Sequence, residues 1–281
     1  MATYHPQHMN ADPADLTGND DIGRYVFLTG SDQRAQQIST HFKDLTVKKH
    51  PRHHDLYLGK LNTEHGDIDV AAMSSGMGGP STDIIVNELF FLGVKRILRI
   101  GTAGSLQPQY IRVGDIIIVT GAIRDDKASW DYIYKEYPAI ASLEYVIAAH
   151  RAETHLHLTN HLYTGLVHTK SSLYAREMSL SLLPENDEYI KVLHQAGVLA
   201  TEMECDQIFI LNELLNARLH LADPHAPSAY AGALLTIVGD DTPFSDKDTV
   251  IADAVAAAIE LGLETTRQLY YIDKKYTSLY G

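Results

Sequence analysis

Cysteine occurs once in the 281 residues, at Cys205, so no disulfide framework can form within the chain. A basic surplus is also missing. The 23 Lys and Arg face 36 Asp and Glu for a net charge of −13, which argues against a nucleic-acid partner, since that would need a basic face. No apolar run approaches bilayer-spanning length, so no membrane partner is expected. The opening MATYHPQHMN lacks the apolar stretch of a signal peptide, and a cytoplasmic location is expected. Nor is there a Pro/Gly/Ser-rich linker, a repeat or a low-complexity tract to divide the chain. What remains is 45% apolar and can bury a sizeable core. The expectation is a polar, irregular arm over residues 1–24 and one domain over residues 25–281.

Two glycine-rich segments, Gly76-Met77-Gly78-Gly79-Pro80-Ser81 and Gly101-Thr102-Ala103-Gly104, read as turns flanking one helix and one strand. Ile84, Ile85, Leu89 and Leu92 recur at helical spacing, Pro80 and Ser81 suit a helix start, and Gly93 ends the helix. The strand from Val94 to Ile100 then delivers Arg99 and Thr102 beside a backbone that a ligand can approach closely. Ligands of open α/β sheets bind at the carboxyl ends of strands, where free N–H groups and helix N-termini favour anions. An arginine adds a planar fork of donors that matches a phosphate. The same logic applies to Tyr25–Thr29, which reads as a strand ending in Gly30, with Arg34 in the first turn of the following helix. Tight turns, with Arg99 paired to a carboxylate, are the alternative at this point.

Further strands are read at 56–61, 68–73, 113–120, 162–169 and 233–238, and helices at about 143–153, 188–195, 205–217 and 249–270. His155-Leu156-His157-Leu158 alternates like a strand, but two histidines on a face more often meet water than metal, and no metal site is expected. Cys205 reads as a small buried residue, since no base is implied beside it.

GMGGPST followed by LRIGTAGSLQP closely resembles the uridine phosphorylase branch of the nucleoside phosphorylase family. Thr201-Glu202-Met203-Glu204-Cys205 looks like that family's ribose-binding Glu-Met-Glu, and Gly30-Ser31-Asp32-Gln33-Arg34 is similar to its first phosphate loop. The resemblance runs from about Tyr25 to the C-terminal helix. It implies a single α/β domain, with a central mixed β-sheet partly closed into a barrel and flanked by helices. It implies reversible phosphorolysis of a ribonucleoside to free base and ribose 1-phosphate, with phosphate as co-substrate and no cofactor.

By the same resemblance Gly30, Arg34, Arg99 and Thr102 hold the phosphate, joined by Arg52 from a neighbouring subunit. Met203 and Glu204 hold the ribose with Glu202 in support, and His5 or His8 reaches the 5′-hydroxyl of a neighbour's site. A homodimer at least is implied, and a homohexamer is expected. Relatives with a monovalent cation at the interface use a glutamate where this chain has His53, so no potassium site is expected. At the base, uridine phosphorylases carry Phe-Tyr and then Gln-x-Arg. This chain has Leu173-Tyr174 and Arg176 with no glutamine nearby. Tyr174 and Arg176 are therefore the base-binding candidates, with Lys170 as a further donor for a pyrimidine. Asp240, or next to it Asp241, matches the aspartate with which purine-cleaving relatives protonate the leaving base. A uridine-type phosphorylase, a purine-type phosphorylase, a hydrolytic nucleosidase and a non-catalytic nucleoside-binding relative all stay open, the first favoured by framework. Arg99, Glu204 and Asp240 are the catalytic candidates.

Overall fold

The computed structural model describes residues 5–20, 22–240 and 246–280, with side chains through residue 274. Ten strands form one sheet. They are β1 (Tyr25–Thr29), β2 (Lys43–Lys48), β3 (Leu56–Thr63), β4 (Gly66–Ser74), β5 (Arg96–Ser105), β6 (Ile116–Asp125), β7 (Ala139–Ile140), β8 (Leu162–Lys170), β9 (Ala200–Glu202) and β10 (Tyr230–Gly239). The order is β10-β6-β8-β9-β5-β1-β4-β3-β2, with β7 against β6. Because β10 also pairs with β5, the strands β10, β6, β8, β9 and β5 close into a ring, and β1, β4, β3 and β2 extend from it as an open wing. The sheet is mixed: β1 runs parallel to β4 and β5, whereas β9 runs antiparallel to β5. This is the partly closed, mixed α/β sheet expected.

The helices are α1 (Asp32–Ser39), α2 (Gly79–Phe91), α3 (Lys127–Trp130), α4 (Leu143–His155), α5 (Leu173–Glu177), α6 (Glu185–Gln195), α7 (Cys205–Ala222) and α8 (Asp248–Tyr280). They cover both faces of the sheet, which is why the central strands are apolar throughout rather than alternating. All five residues of β1 are buried. In β5, Ile97 and Ala103 join a core with α2 and α7 residues such as Leu89 and Phe209. Leu98 and Ile100 face the other way, into a second core with Ile38 of α1, Ala148 of α4 and Leu261 of α8. Arg99 and Gly101 lie between Ile97 and Ala103 and share their face by the period of two. Met9, Ala11 and Leu16 of the N-terminal arm are buried in the first core, so the arm is anchored although mostly irregular.

Several local expectations are corrected. Gly101-Thr102-Ala103-Gly104 is strand, not turn. β5 continues to Ser105 because β10 pairs with it as far as Gly104, across one irregularity between Ile237 and Gly239, and β9 pairs with Gly104 and Ser105. The glycines serve close approach instead: a Cβ on Gly101 would lie 2.8 Å from the Arg99 guanidinium, and one on Gly104 would lie 3.2 Å from Glu177 Oε2. His155 is not in a strand. It ends α4, where its Nδ1 pairs with Glu264 of α8 at 3.1 Å. β2 went unrecognised because it is polar and exposed along nearly its whole length, as suits an edge strand. α7 runs to Ala222, past the expected end near 217, and α8 runs ten residues past Tyr270. Among the described residues, no helix is long and apolar enough to cross a membrane, and no group of three His, Cys, Asp or Glu could hold a metal ion.

Candidate active site

Parallel strands end side by side, and their C-terminal ends build the site. β1 delivers Gly30. The Ser31 hydroxyl then caps α1 by accepting from Arg34 N at 3.4 Å, which sets Arg34 in the first turn, where the helix dipole favours an anion. Arg34 Nη1 donates to Ile100 O at 3.4 Å, so the guanidinium lies back over β5. Between β4 and α2 the chain turns through Gly76 and Gly78 at φ +73° and +81°, conformations that side chains with a Cβ resist. That turn points Gly78 N at Glu204 Oε1, 2.7 Å away. β9 supplies Glu202, and Met203 and Glu204 follow before α7 begins at Cys205. Gly30, Arg34, Arg99, Thr102, Glu202, Met203 and Glu204 all line one cavity of about 280 Å³.

Arg99 is only 3% exposed. Its Nη2 donates to Glu204 Oε2, and its Nε lies 3.5 Å from Glu202 Oε2. Its Nη1 has no hydrogen-bond partner among the described residues. A buried donor without a partner costs about 1–3 kcal/mol, more when charged, so an orphaned guanidinium nitrogen beside a cavity calls for an anion. Glu202 is held from below by Glu204 N at 2.8 Å, Cys205 N at 3.0 Å and the Thr169 hydroxyl. Burial raises the Glu204 carboxyl above the usual range, Arg99 opposes this, and Glu202 adds to it. Burial, then the neighbouring Arg99, pulls Arg34 down to about 10, which leaves it charged at neutral pH.

Farther along the cavity stand Lys170, Leu173, Glu177, Thr201 and Val238. Lys170 Nζ lies 2.5 Å from Glu177 Oε1 and donates to Thr201 Oγ1 at 3.1 Å. Arg176 points away from this group. It forms a bidentate pair with Asp125 (2.7 Å at both Nε and Nη2), donates to Asn186 and lies 4.4 Å from the centre of the Tyr189 ring. With Asp240 it lines a second, adjoining cavity of about 380 Å³. Asp240 Oδ2 accepts from Val113 N at 3.2 Å and lies 3.9 Å from Arg112 and Lys247. Tyr174 is exposed and lines neither cavity.

The structure thus brings together the phosphate and ribose candidates of one chain, and does not bring Tyr174, Arg176 or Asp240 into their cavity. Arg52 is exposed in the loop after β2, its N donating to His50 Nδ1 at 3.3 Å. His8 Nδ1 pairs with Glu88 Oε1 of α2 at 2.9 Å, while His5 is exposed. Asp241 lies outside the described residues. Cys205 is fully buried, and burial pushes its thiol up. Sequence reasoning missed Glu177 and the buried His168, whose Nδ1 meets Thr201 Oγ1 at 3.0 Å and whose Nε2 meets Asp125 Oδ2 at 3.1 Å. The only signal for Glu177 is its charge opposite to Lys170, seven residues earlier.

A family model described as the phosphorylase superfamily matches residues 24–261. A uridine phosphorylase of Treponema pallidum is 33% identical over 225 residues, covering 79% of this chain and 80% of that protein. A guanosine phosphorylase of Halorubrum lacusprofundi is 28% identical over 236 residues, covering 83% and 85%. Among solved structures, a uridine phosphorylase from Vibrio fischeri superposes with a TM-score of 0.72 at 22% identity, covering 89% of this chain and 95% of that one, which establishes the shared fold.

Proposed function

Because the chain belongs to the phosphorylase superfamily, we propose that it is a nucleoside phosphorylase of the uridine phosphorylase type, a pentosyltransferase. It moves ribose from a nucleoside to phosphate, releasing free base and ribose 1-phosphate. The observation that carries the reading is the buried Arg99, whose Nη1 has no partner among the described residues, in a cavity that also holds Arg34 and Glu204.

In this reading phosphate lies among Gly30, Arg34, Arg99 and Thr102, and the ribose lies on Met203 and Glu204. Glu204 is already held by Gly78 N and Arg99, so its carboxylate is fixed when it accepts from sugar hydroxyls. Cleavage develops oxocarbenium character at C1′. A phosphate clamped against the sugar both stabilises that positive charge and attacks C1′, while the base departs with the electron pair of the glycosidic bond. Phosphate is the co-substrate, and no cofactor enters the scheme. The arms that extend beyond one chain belong to the same proposal: an exposed Arg52, and His5 or His8, serve a neighbouring subunit's site in at least a dimer. A cytoplasmic location fits the acidic composition.

The experiment is absorbance-monitored cleavage of uridine, thymidine, inosine and adenosine, each with and without phosphate. Uridine cleavage that requires phosphate and yields ribose 1-phosphate is expected. Cleavage without phosphate would make the protein a nucleosidase, and no cleavage at all would leave a binding protein.

A further inference from the structure

Lys170 ends β8 and is almost wholly inside the protein, its side chain 3% exposed. An ammonium taken out of water must be paired, and Glu177 at the end of α5 meets it. Thr201 takes one of its three N–H donors, and Glu177 balances its charge through Oε1, a buried oxygen with no hydrogen-bond partner among the described residues. On the other side of the pair, Glu177 Oε2 lies over Gly104, where a Cβ would come within 3.2 Å of it. The pair therefore presents one anionic acceptor and one cationic donor, side by side, to the cavity.

Its position is fixed by the strand beneath. Leu28 of β1 is paired with Arg99, and beyond that last pair lie Gly30 after β1 and Gly101 on β5, at the anion end, while Glu177 stands over Gly104, which is paired with Thr201. Three residues of strand separate the two levels by about 10 Å. Glu204 and Met203 line the interval, and Leu173 and Val238 give the far end its apolar walls. That interval leaves room for a ribose between a bound phosphate and a base.

We propose that the Lys170–Glu177 pair is the base-reading element of the site and selects bases that carry a ring N–H beside an exocyclic carbonyl, as uracil and 6-oxopurines do. This rests on the phosphorylase reading. Glu177 accepts the ring N–H and Lys170 donates to the carbonyl oxygen. A glutamine amide offers the same acceptor and donor in one group, and here two charged side chains supply them. The ammonium adds something an amide lacks. The base leaves as an anion whose charge spreads onto its carbonyl oxygen, so Lys170 stabilises charge that exists only as the bond breaks. Cytosine and adenine have no proton on the corresponding ring nitrogen, so they would set an acceptor against the Glu177 carboxylate, and adenine brings no carbonyl oxygen to Lys170 either.

The test compares kcat/KM for uridine, 3-methyluridine, 5-fluorouridine and cytidine at saturating phosphate, in the full-length protein. Blocking the N–H in 3-methyluridine is expected to cost the wild type on the order of 30- to 100-fold, the worth of a hydrogen bond to a charged group. In Glu177→Ala the same methyl group is expected to cost under about threefold, since its acceptor is gone. Lys170→Met is expected to lower kcat rather than raise KM, and to penalise uridine more than 5-fluorouridine, whose base carries negative charge more readily. Where a single variant fails to fold, the double variant Lys170→Met with Glu177→Leu leaves no unpaired charge and must also lose the methyl discrimination. An unchanged methyl penalty in the Glu177 variants overturns the proposal, as does wild-type cleavage of cytidine at the uridine rate. If the wild type cleaves inosine but not uridine, inosine and 1-methylinosine replace the uridine pair with the same expectations. If the wild type cleaves no nucleoside with phosphate, the phosphorylase reading itself fails, before any variant is compared.

Discussion

Arg96 and Arg99 stand three residues apart in β5, and each is 3% exposed, yet they do different things. On Arg96 every nitrogen has a partner. Nε and Nη2 clamp Asp273 of α8 at 3.0 and 2.7 Å, and Nη1 donates to Lys95 O and Ser228 O at 2.9 and 2.7 Å. The ring of Tyr230 covers it at 4.0 Å. This arginine ties β5 to the C-terminal helix. Arg99 faces the opposite side of the strand, shares two carboxylates, and among the described residues has no hydrogen-bond partner for Nη1 or Nε. Burial and ion pairing leave the two arginines alike, and the count of satisfied donors tells them apart.

The largest effect expected is on Arg99. Arg99→Ala should lower kcat/KM for phosphate-dependent cleavage on the order of 10³-fold, as loss of a preorganised donor at a developing charge does. Steady-state kinetics within tenfold of wild type would erase the distinction between the two arginines. The complementary loss belongs to Arg96. Arg96→Met takes the counter-charge from the buried Asp273, which keeps the Tyr25 hydroxyl as a donor at 2.7 Å, and should cost about 3–5 kcal/mol of stability in denaturant unfolding. Turnover by the folded protein should stay within about twofold. A large fall in turnover with intact stability would reverse the roles assigned here.

A smaller effect comes from His168, buried between Asp125 and Thr201 near the base end. Burial lowers its pKa below the ordinary 6.5, against the pull of Asp125, with Lys170 and Arg176 lowering it further. The unfolded chain then binds more protons than the folded one between the lowered pKa and about 6.5, so stability falls as pH drops through that window. Each such group contributes at most about 1.4 kcal/mol per pH unit. His54, also lowered by burial, adds to the slope. His168→Gln should flatten the decline below pH 6.5 without removing it. Lost carboxylate stabilisation at Asp125 and Glu264 appears only at lower pH, because their pKa values are depressed from the acid range. Identical slopes in wild type and variant would place His168 outside this account.

Much of the grouping of the anion and ribose candidates in one cavity was legible before any coordinates. Gly30, Arg34, Arg99, Thr102, Met203 and Glu204 lie in short contiguous runs at strand ends, where local pattern and location coincide. The base end was not legible, for a physical reason. Glu177 reaches the cavity only because α5 folds back over Gly104, and Arg176, the more conspicuous residue, is drawn away by Asp125 from a different strand. Neither contact has a local signature. The glycines of β5 mislead in the same way. Gly101 and Gly104 look like turn residues, but tertiary neighbours, the Arg99 guanidinium and Glu177, occupy the space their missing side chains leave. His155 alternates like a strand residue, yet Glu264, more than a hundred positions away, fixes it at a helix end.

The most direct test is the phosphate saturation curve of nucleoside cleavage, measured for the wild type and for Arg99→Lys and Arg96→Lys at a temperature where all three are folded. Lysine keeps the charge but loses the planar fork. The prediction is that Arg99→Lys raises the KM for phosphate and lowers kcat by at least about tenfold, while Arg96→Lys leaves the curve of the folded protein unchanged. Equal displacement of both curves, or turnover in any of the three proteins that ignores phosphate, would contradict the claim that the unpartnered donor of Arg99 is there to hold the phosphate.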